Sequence, residues 1–152
     1  MLDQGTTNGR STSTDGVYLL DTNVLSEVVR RSPAPNVLRW FRDVSEDSLF
    51  LSVLSLGEIR KRVERVENGD RRKRLTHWLV DELPARFGSR IIAIDRTIAE
   101  RWGRLSADQR AQPLPVIDAL LAATALAYDL TVVTRNTRDI ARSGASFLDP
   151  WQ

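Results

Sequence analysis

An α/β fold is what this sequence predicts: a central parallel sheet of four to five short strands flanked by helices on both faces. Short apolar runs alternate with longer stretches of helical periodicity, the pattern of strands joined by helical crossovers. Several of these strands run into polar or acidic residues, where open α/β sheets place their ligands. Across 152 residues there is no internal repeat and no second block of composition, and 41% hydrophobic residues suffice for one core. One domain over residues 17–152 follows, preceded by residues 1–16, which are polar and read as a disordered leader.

The first strand is Val17 to Asp21, apolar until it meets the acid. Thr22 to Arg31 reads as a helix capped by Thr22 or Asn23 and broken by Ser32-Pro33-Ala34-Pro35. Val37, Leu38, Trp40, Phe41 and Val44 have helical spacing, and Ser48 to Val53 is a short second strand. Leu54 to Glu67 is helical, with Leu56, Ile59, Val63 and Val66 on one face. Asn68-Gly69-Asp70 reads as a turn, and Arg71 to Phe87 as an amphipathic helix that Pro84 threatens to end early. Ile91 to Ile94 is the third strand. Asp95 caps a helix from Arg96 to Gln109 whose Ile98, Trp102 and Leu105 are expected to face inward. Val116 to Tyr128 is apolar almost all round and therefore predicted to be buried. Leu130 to Thr134 is the fourth strand, Arg135 to Arg142 a loop and short helix, and Ala145 to Leu148 the fifth strand.

Composition narrows the chemistry. The chain has no cysteine, so disulfides and thiolate metal sites are excluded, which is compatible with the cytoplasm as its compartment. A single histidine, His77, rules out a histidine-rich metal site. No apolar run reaches membrane-spanning length and no signal peptide is apparent. The formal net charge is only +2, but the cations are nearly all arginine, the lysines being Lys61 and Lys73. Guanidinium groups pair bidentately with phosphate. The basic run from Arg60-Lys61-Arg62 to Arg71-Arg72-Lys73-Arg74 is a solvated helix face or a surface that tracks phosphates or a partner.

The acids carry the functional signal. Asp21 ends the first strand, Glu58 lies just after the second, Asp118 sits in the first turn of the buried helix, and Asn136 and Asp139 follow the fourth strand. In a doubly wound sheet these positions share one edge. Each acid alone has an ordinary explanation: a helix cap for Asp21, a surface pair with Lys61 or Arg62 for Glu58, a dipole-favoured first-turn acid for Asp118. Together they repel one another unless a cation joins them. A hard cation such as Mg²⁺ or Mn²⁺ prefers such oxygen ligands and polarises phosphoryl oxygens. Acids with no nucleophilic cysteine or paired histidine thus favour metal-assisted phosphodiester hydrolysis. An aspartyl-nucleophile phosphatase fits less well, because the position two residues after Asp21 holds Asn23.

With those positions set out, the sequence resembles a known family. Leu-Leu-Asp-Thr-Asn-Val-Leu-Ser-Glu (19–27) is similar to the opening of PIN-domain proteins of the VapC and FitB toxin type. The segments 51–60, with Glu58, 115–125, with Asp118, and 130–139, with Thr134, Asn136 and Asp139, resemble the later motifs in order. Phe147-Leu148-Asp149-Pro150-Trp151 is similar to the end of FitB-like members. The resemblance implies a PIN-like fold and an endoribonuclease dependent on Mg²⁺ or Mn²⁺. It also implies the toxin of a type II toxin–antitoxin system, neutralised by a small VapB-type antitoxin, homodimeric and forming a heterotetramer or larger assembly with that antitoxin. By position, Asp21, Glu58 and Asp118 are the implied metal-binding catalytic acids, with Asn23 and Thr134 as polar supports. The fourth acid falls at Asp139, three residues beyond Asn136, which offers a neutral oxygen or a hydrogen bond. Arg62 is a second departure, standing where such proteins often have glycine. A non-catalytic PIN module that binds RNA or a protein is the alternative reading.

Overall fold

The computed structural model describes residues 16–152, so the leader expected over residues 1–16 lies, but for Gly16, outside the described residues. The elements run β1 (Tyr18–Leu20), α1 (Thr22–Val28), α2 (Pro35–Asp43), β2 (Leu49–Ser52), α3 (Val53–Glu64), α4 (Gly69–His77), α5 (Leu83–Phe87) and β3 (Ile91–Ile92). Then follow α6 (Arg96–Asp108), α7 (Val116–Tyr128), β4 (Thr131–Val133), α8 (Thr137–Arg142) and β5 (Phe147–Leu148). The strands pair in parallel in the order β3-β2-β1-β4-β5. Chain direction across the sheet therefore reverses between β1 and β4, the switch point at which such sheets open a crevice.

Strand alternation splits the core into two layers. Leu20 and Val133 point to the face covered by α1, α2, α3 and α5, where Val24, Leu25, Val37, Ile59, Val63, Leu83 and Phe87 are buried. Leu19 and Val132 point to the opposite face, against Leu105, Leu121, Ala122, Ala125 and Ile140 from α6, α7 and α8. Helices flank both faces, as the sequence predicts. The small side chains of α7 let it lie close on the sheet, and its carboxyl end turns through Asp129 in the left-handed region at φ 55°.

Local differences from the sequence-based expectation have identifiable causes. The cap of α1 is Asp21 and not Thr22 or Asn23: its carboxylate accepts from the Thr22 N–H at 2.7 Å. Asn68 caps α4 through the Arg71 N–H, so the expected turn at 68–70 becomes a helix start. The helix does not stop at Pro84. Trp78–Glu82 widens into a π-turn in which the Leu83 N–H reaches the Trp78 carbonyl. That wider turn absorbs the missing N–H and ring clash of the proline that follows. Trp102 lies on the exposed side of α6, although Ile98 and Leu105 face inward as expected. Among the described residues no helix is long and apolar enough to cross a membrane.

Candidate active site

The carboxyl edge of β1 and β4 holds the site. Backbone pairing continues one residue past each strand: the Asp21 N–H donates to the Val133 carbonyl at 2.9 Å. Asp21 and Thr134 thus stand side by side at the switch point, both buried. Thr134 donates its hydroxyl to Asp21 Oδ2 at 2.7 Å, while Thr22 N–H holds Oδ1. Asn23 spans the pair more loosely, donating to Asp21 Oδ2 at 3.5 Å and to Thr134 Oγ1 at 3.4 Å.

Glu58 arrives from α3. Because α1 and α3 pack against each other, the Thr22 hydroxyl reaches Glu58 Oε1 at 2.8 Å. Asp118 comes from the first turn of α7 and Asp139 from that of α8. Asn136 joins them, its side-chain amide donating to Asp118 Oδ2 at 3.1 Å and to Asp139 Oδ2 at 3.0 Å. Its backbone N–H in turn donates to Thr134 Oγ1 at 2.9 Å. The Asn136 amide thus bridges the Asp118 and Asp139 carboxylates.

The electrostatics show the acids acting on one another. The Asp118 carboxyl is pushed up to about 6, first by burial, then by the negative charges of Asp21, Asp139 and Glu58. Asp21 is also raised, by burial above all and by Glu58, against the lowering effect of its bonds from Thr134 and Thr22 and of the Arg62 charge. Each predicted site residue thus lies within one connected network. Sequence reasoning missed Thr22 as more than a cap, although its hydroxyl is the link between the Asp21 and Glu58 segments. It also missed that Arg135, stacked 5.0 Å from the Trp151 ring, ties the chain end to the rim of the site. An arginine beside the Asn136 segment and a terminal tryptophan were the available signals.

Comparison with known proteins places the chain in a family. Residues 18–144 match the PIN domain family. This chain belongs to the PIN-domain family. It is 36% identical over 138 residues to the plasmid stability protein StbB of Pseudomonas syringae pv. tomato, covering 90% of this chain and 99% of that protein. It is 30% identical to the toxin FitB of Neisseria gonorrhoeae, covering 89% and 99%, and 28% identical to the VapC ribonuclease Y4jK of Sinorhizobium fredii, covering 90% and 99%. The crystal structure of FitAcB from Neisseria gonorrhoeae superposes with a TM-score of 0.83 at 29% identity, covering 90% of this chain and 99% of that one.

The donor set suits a hard divalent cation. Every side chain in the network offers oxygen or amide groups, and none offers sulfur or imidazole. Among the described residues no three acids already stand at the spacing of a closed metal cage. Mg²⁺ needs no such cage, since it keeps several waters and takes one or two carboxylates together with substrate phosphate. Asp118 is raised first by burial and then by the charges of Asp21, Asp139 and Glu58, and a cation at this edge would offset that second, repulsive part.

Proposed function

We propose that this PIN-domain protein is the toxin of a type II toxin–antitoxin system, an endoribonuclease that hydrolyses RNA phosphodiester bonds with Mg²⁺ or Mn²⁺ in the cytoplasm. The observation that carries this reading is the convergence of Asp21, Glu58, Asp118 and Asp139 on one sheet edge, joined through Thr22, Thr134 and Asn136. The similarity to the FitB toxin and to a VapC ribonuclease supports it. Its implied partner is a small VapB-type antitoxin, with a homodimer as the toxin's own assembly and a heterotetramer or larger complex as the neutralised form.

Asp21 and Asp118 would hold the cation most directly, with Asp139 as the further carboxylate. When bound, the cation supplies positive charge to the scissile phosphate and acidifies water at neutral pH. The chain's own contribution is orientation. Thr134 and Thr22 N–H fix both oxygens of Asp21, so its carboxylate does not rotate away. Asn136 fixes Asp118 and Asp139 relative to Thr134. Glu58, held by the Thr22 hydroxyl on one oxygen, keeps its other oxygen free to orient the attacking water. Water is the attacking group in this reading, and the chain has no cysteine to offer a thiolate in its place.

Purified protein with Mn²⁺ is expected to cleave RNA, and Asp21→Asn to abolish cleavage while circular dichroism stays unchanged, since asparagine also caps helices. Full activity in that variant overturns the reading.

A further inference from the structure

A groove of about 1310 Å³ lies between α1, α3 and α4, starting at Ser26 and Arg62 one helical turn from Thr22 and Glu58. Two rungs join α1 to α3 at its mouth. Thr22 bonds Glu58, and one helical turn further along both helices Arg62 donates to Ser26 Oγ at 3.1 Å. Arg62 thus stands at the junction of site and groove, about one helical pitch (~5.4 Å) beyond Glu58 along the α3 axis. Its charge already acts on Asp21, which it pulls down against the effect of burial.

Past Arg62 the groove is lined by Arg31, Arg71 and Arg74, with half-buried Trp78 among its apolar residues. Among the described residues none of these four arginines forms a salt bridge, whereas Arg30, Arg60 and Arg72 are paired with Glu27 or Glu64. Unpaired guanidinium groups facing a common channel repel one another and gain from a polyanion. A basic channel with an aromatic face is how single-stranded nucleic acid is held without sequence preference: cations follow the backbone and rings stack on bases.

We infer that this groove is the track for the single-stranded RNA substrate, with Arg31, Arg71 and Arg74 on its phosphates, Trp78 as a stacking face, and Arg62 holding the phosphate next to the scissile one. The inference rests on the nuclease reading above and names the surface that delivers substrate to it. Arg62 is a positioning residue, acting on the strand and not on the reacting atoms.

The test is fluorescence anisotropy with a labelled oligouridylate of about ten nucleotides and the full chain in EDTA, where binding is read without turnover. Removing two phosphate contacts with Arg71→Gln/Arg74→Gln is expected to weaken binding about 25-fold at ~0.1 M salt and to flatten the log–log salt slope by about 1.4. Arg62→Gln is expected to lose about fivefold, with Arg62→Lys recovering most of it. The charge-matched control Arg101→Gln/Arg104→Gln, on exposed positions of α6, should stay within about twofold. Equal losses in groove and control variants overturn the track, because charge alone would then explain binding. Undiminished binding in the groove variants also overturns it and assigns these arginines to a protein partner. Groove-dependent binding without Asp21-dependent cleavage in Mn²⁺ would sustain the track and remove the nuclease reading. Asp21-dependent cleavage that is undiminished in the groove variants would do the reverse.

Discussion

Asp118→Asn should make the protein more stable and inactive at once. In the absence of divalent cation the folded Asp118 carboxyl titrates at about 6 against 3.8 for a free aspartate. That gap corresponds to about 3 kcal/mol for a fully buried group. Asp118 is half-buried, and solvent screening reduces the effect to about 1–2 kcal/mol. The sign follows from proton counting. Between pH 3.8 and about 6 the folded state holds a proton that the unfolded state has released, so stability falls as pH rises through that window and stays lower above it. Asparagine carries no charge to bury or repel, and its amide oxygen still accepts from Asn136. Urea denaturation in EDTA at pH 4.5 and pH 7.5 measures the effect. The variant should gain about 1–2 kcal/mol at the higher pH, or about 2–8 °C in Tm, and much less at the lower. Added Mn²⁺ should then stabilise the wild type more than the variant. Equal pH dependence in the two proteins would refute the electrostatic account of the cluster.

Other consequences are as direct. Thr134→Val removes the donor to Asp21 and leaves the Asn136 N–H without its acceptor. It should cost about 1–3 kcal/mol in a thermal melt and lower RNA cleavage without abolishing it. Asp139→Asn should weaken Mn²⁺ binding by calorimetry less than Asp118→Asn does, because Arg142 already shares the Asp139 charge at 3.6 Å. Glu27 is buried, and the Ala34 N–H, followed by Arg30, holds its carboxyl below the usual range. Its contribution is present above the ordinary glutamate value of 4.5 and is lost as pH falls through the lower folded value. Glu27→Gln should therefore destabilise at pH 7 and make little difference near pH 3, as read by chemical denaturation.

The order of elements and the positions of the acids were legible in the sequence because both are written in local patterns. Apolar runs of strand length, helical periodicity and the capping chemistry of Asp95 each act within a few residues. The π-turn at Trp78–Glu82 was not legible, because a proline alone predicts a break and only packing of Leu79 and Leu83 into the core keeps the helix going around it. The outward placement of Trp102 has the same origin, since helical spacing names a face but not how wide the covered stripe is.

What the sequence determined by itself is the inventory: the strands, the helices, the acids and amides that the candidate site is built from, and the absence of cysteine thiolates. Only the tertiary structure decided the relations among them. Strand order 3-2-1-4-5 brings Asp21 beside Thr134 across 113 residues of chain, and no local rule specifies that pairing. The side-by-side packing of α1 and α3 sets Thr22 on Glu58 and Arg62 on Ser26, joining an acid cluster to an arginine-lined groove. Hydrogen bonds and Coulomb forces act over a few ångströms in space, while a sequence records only distance along the chain.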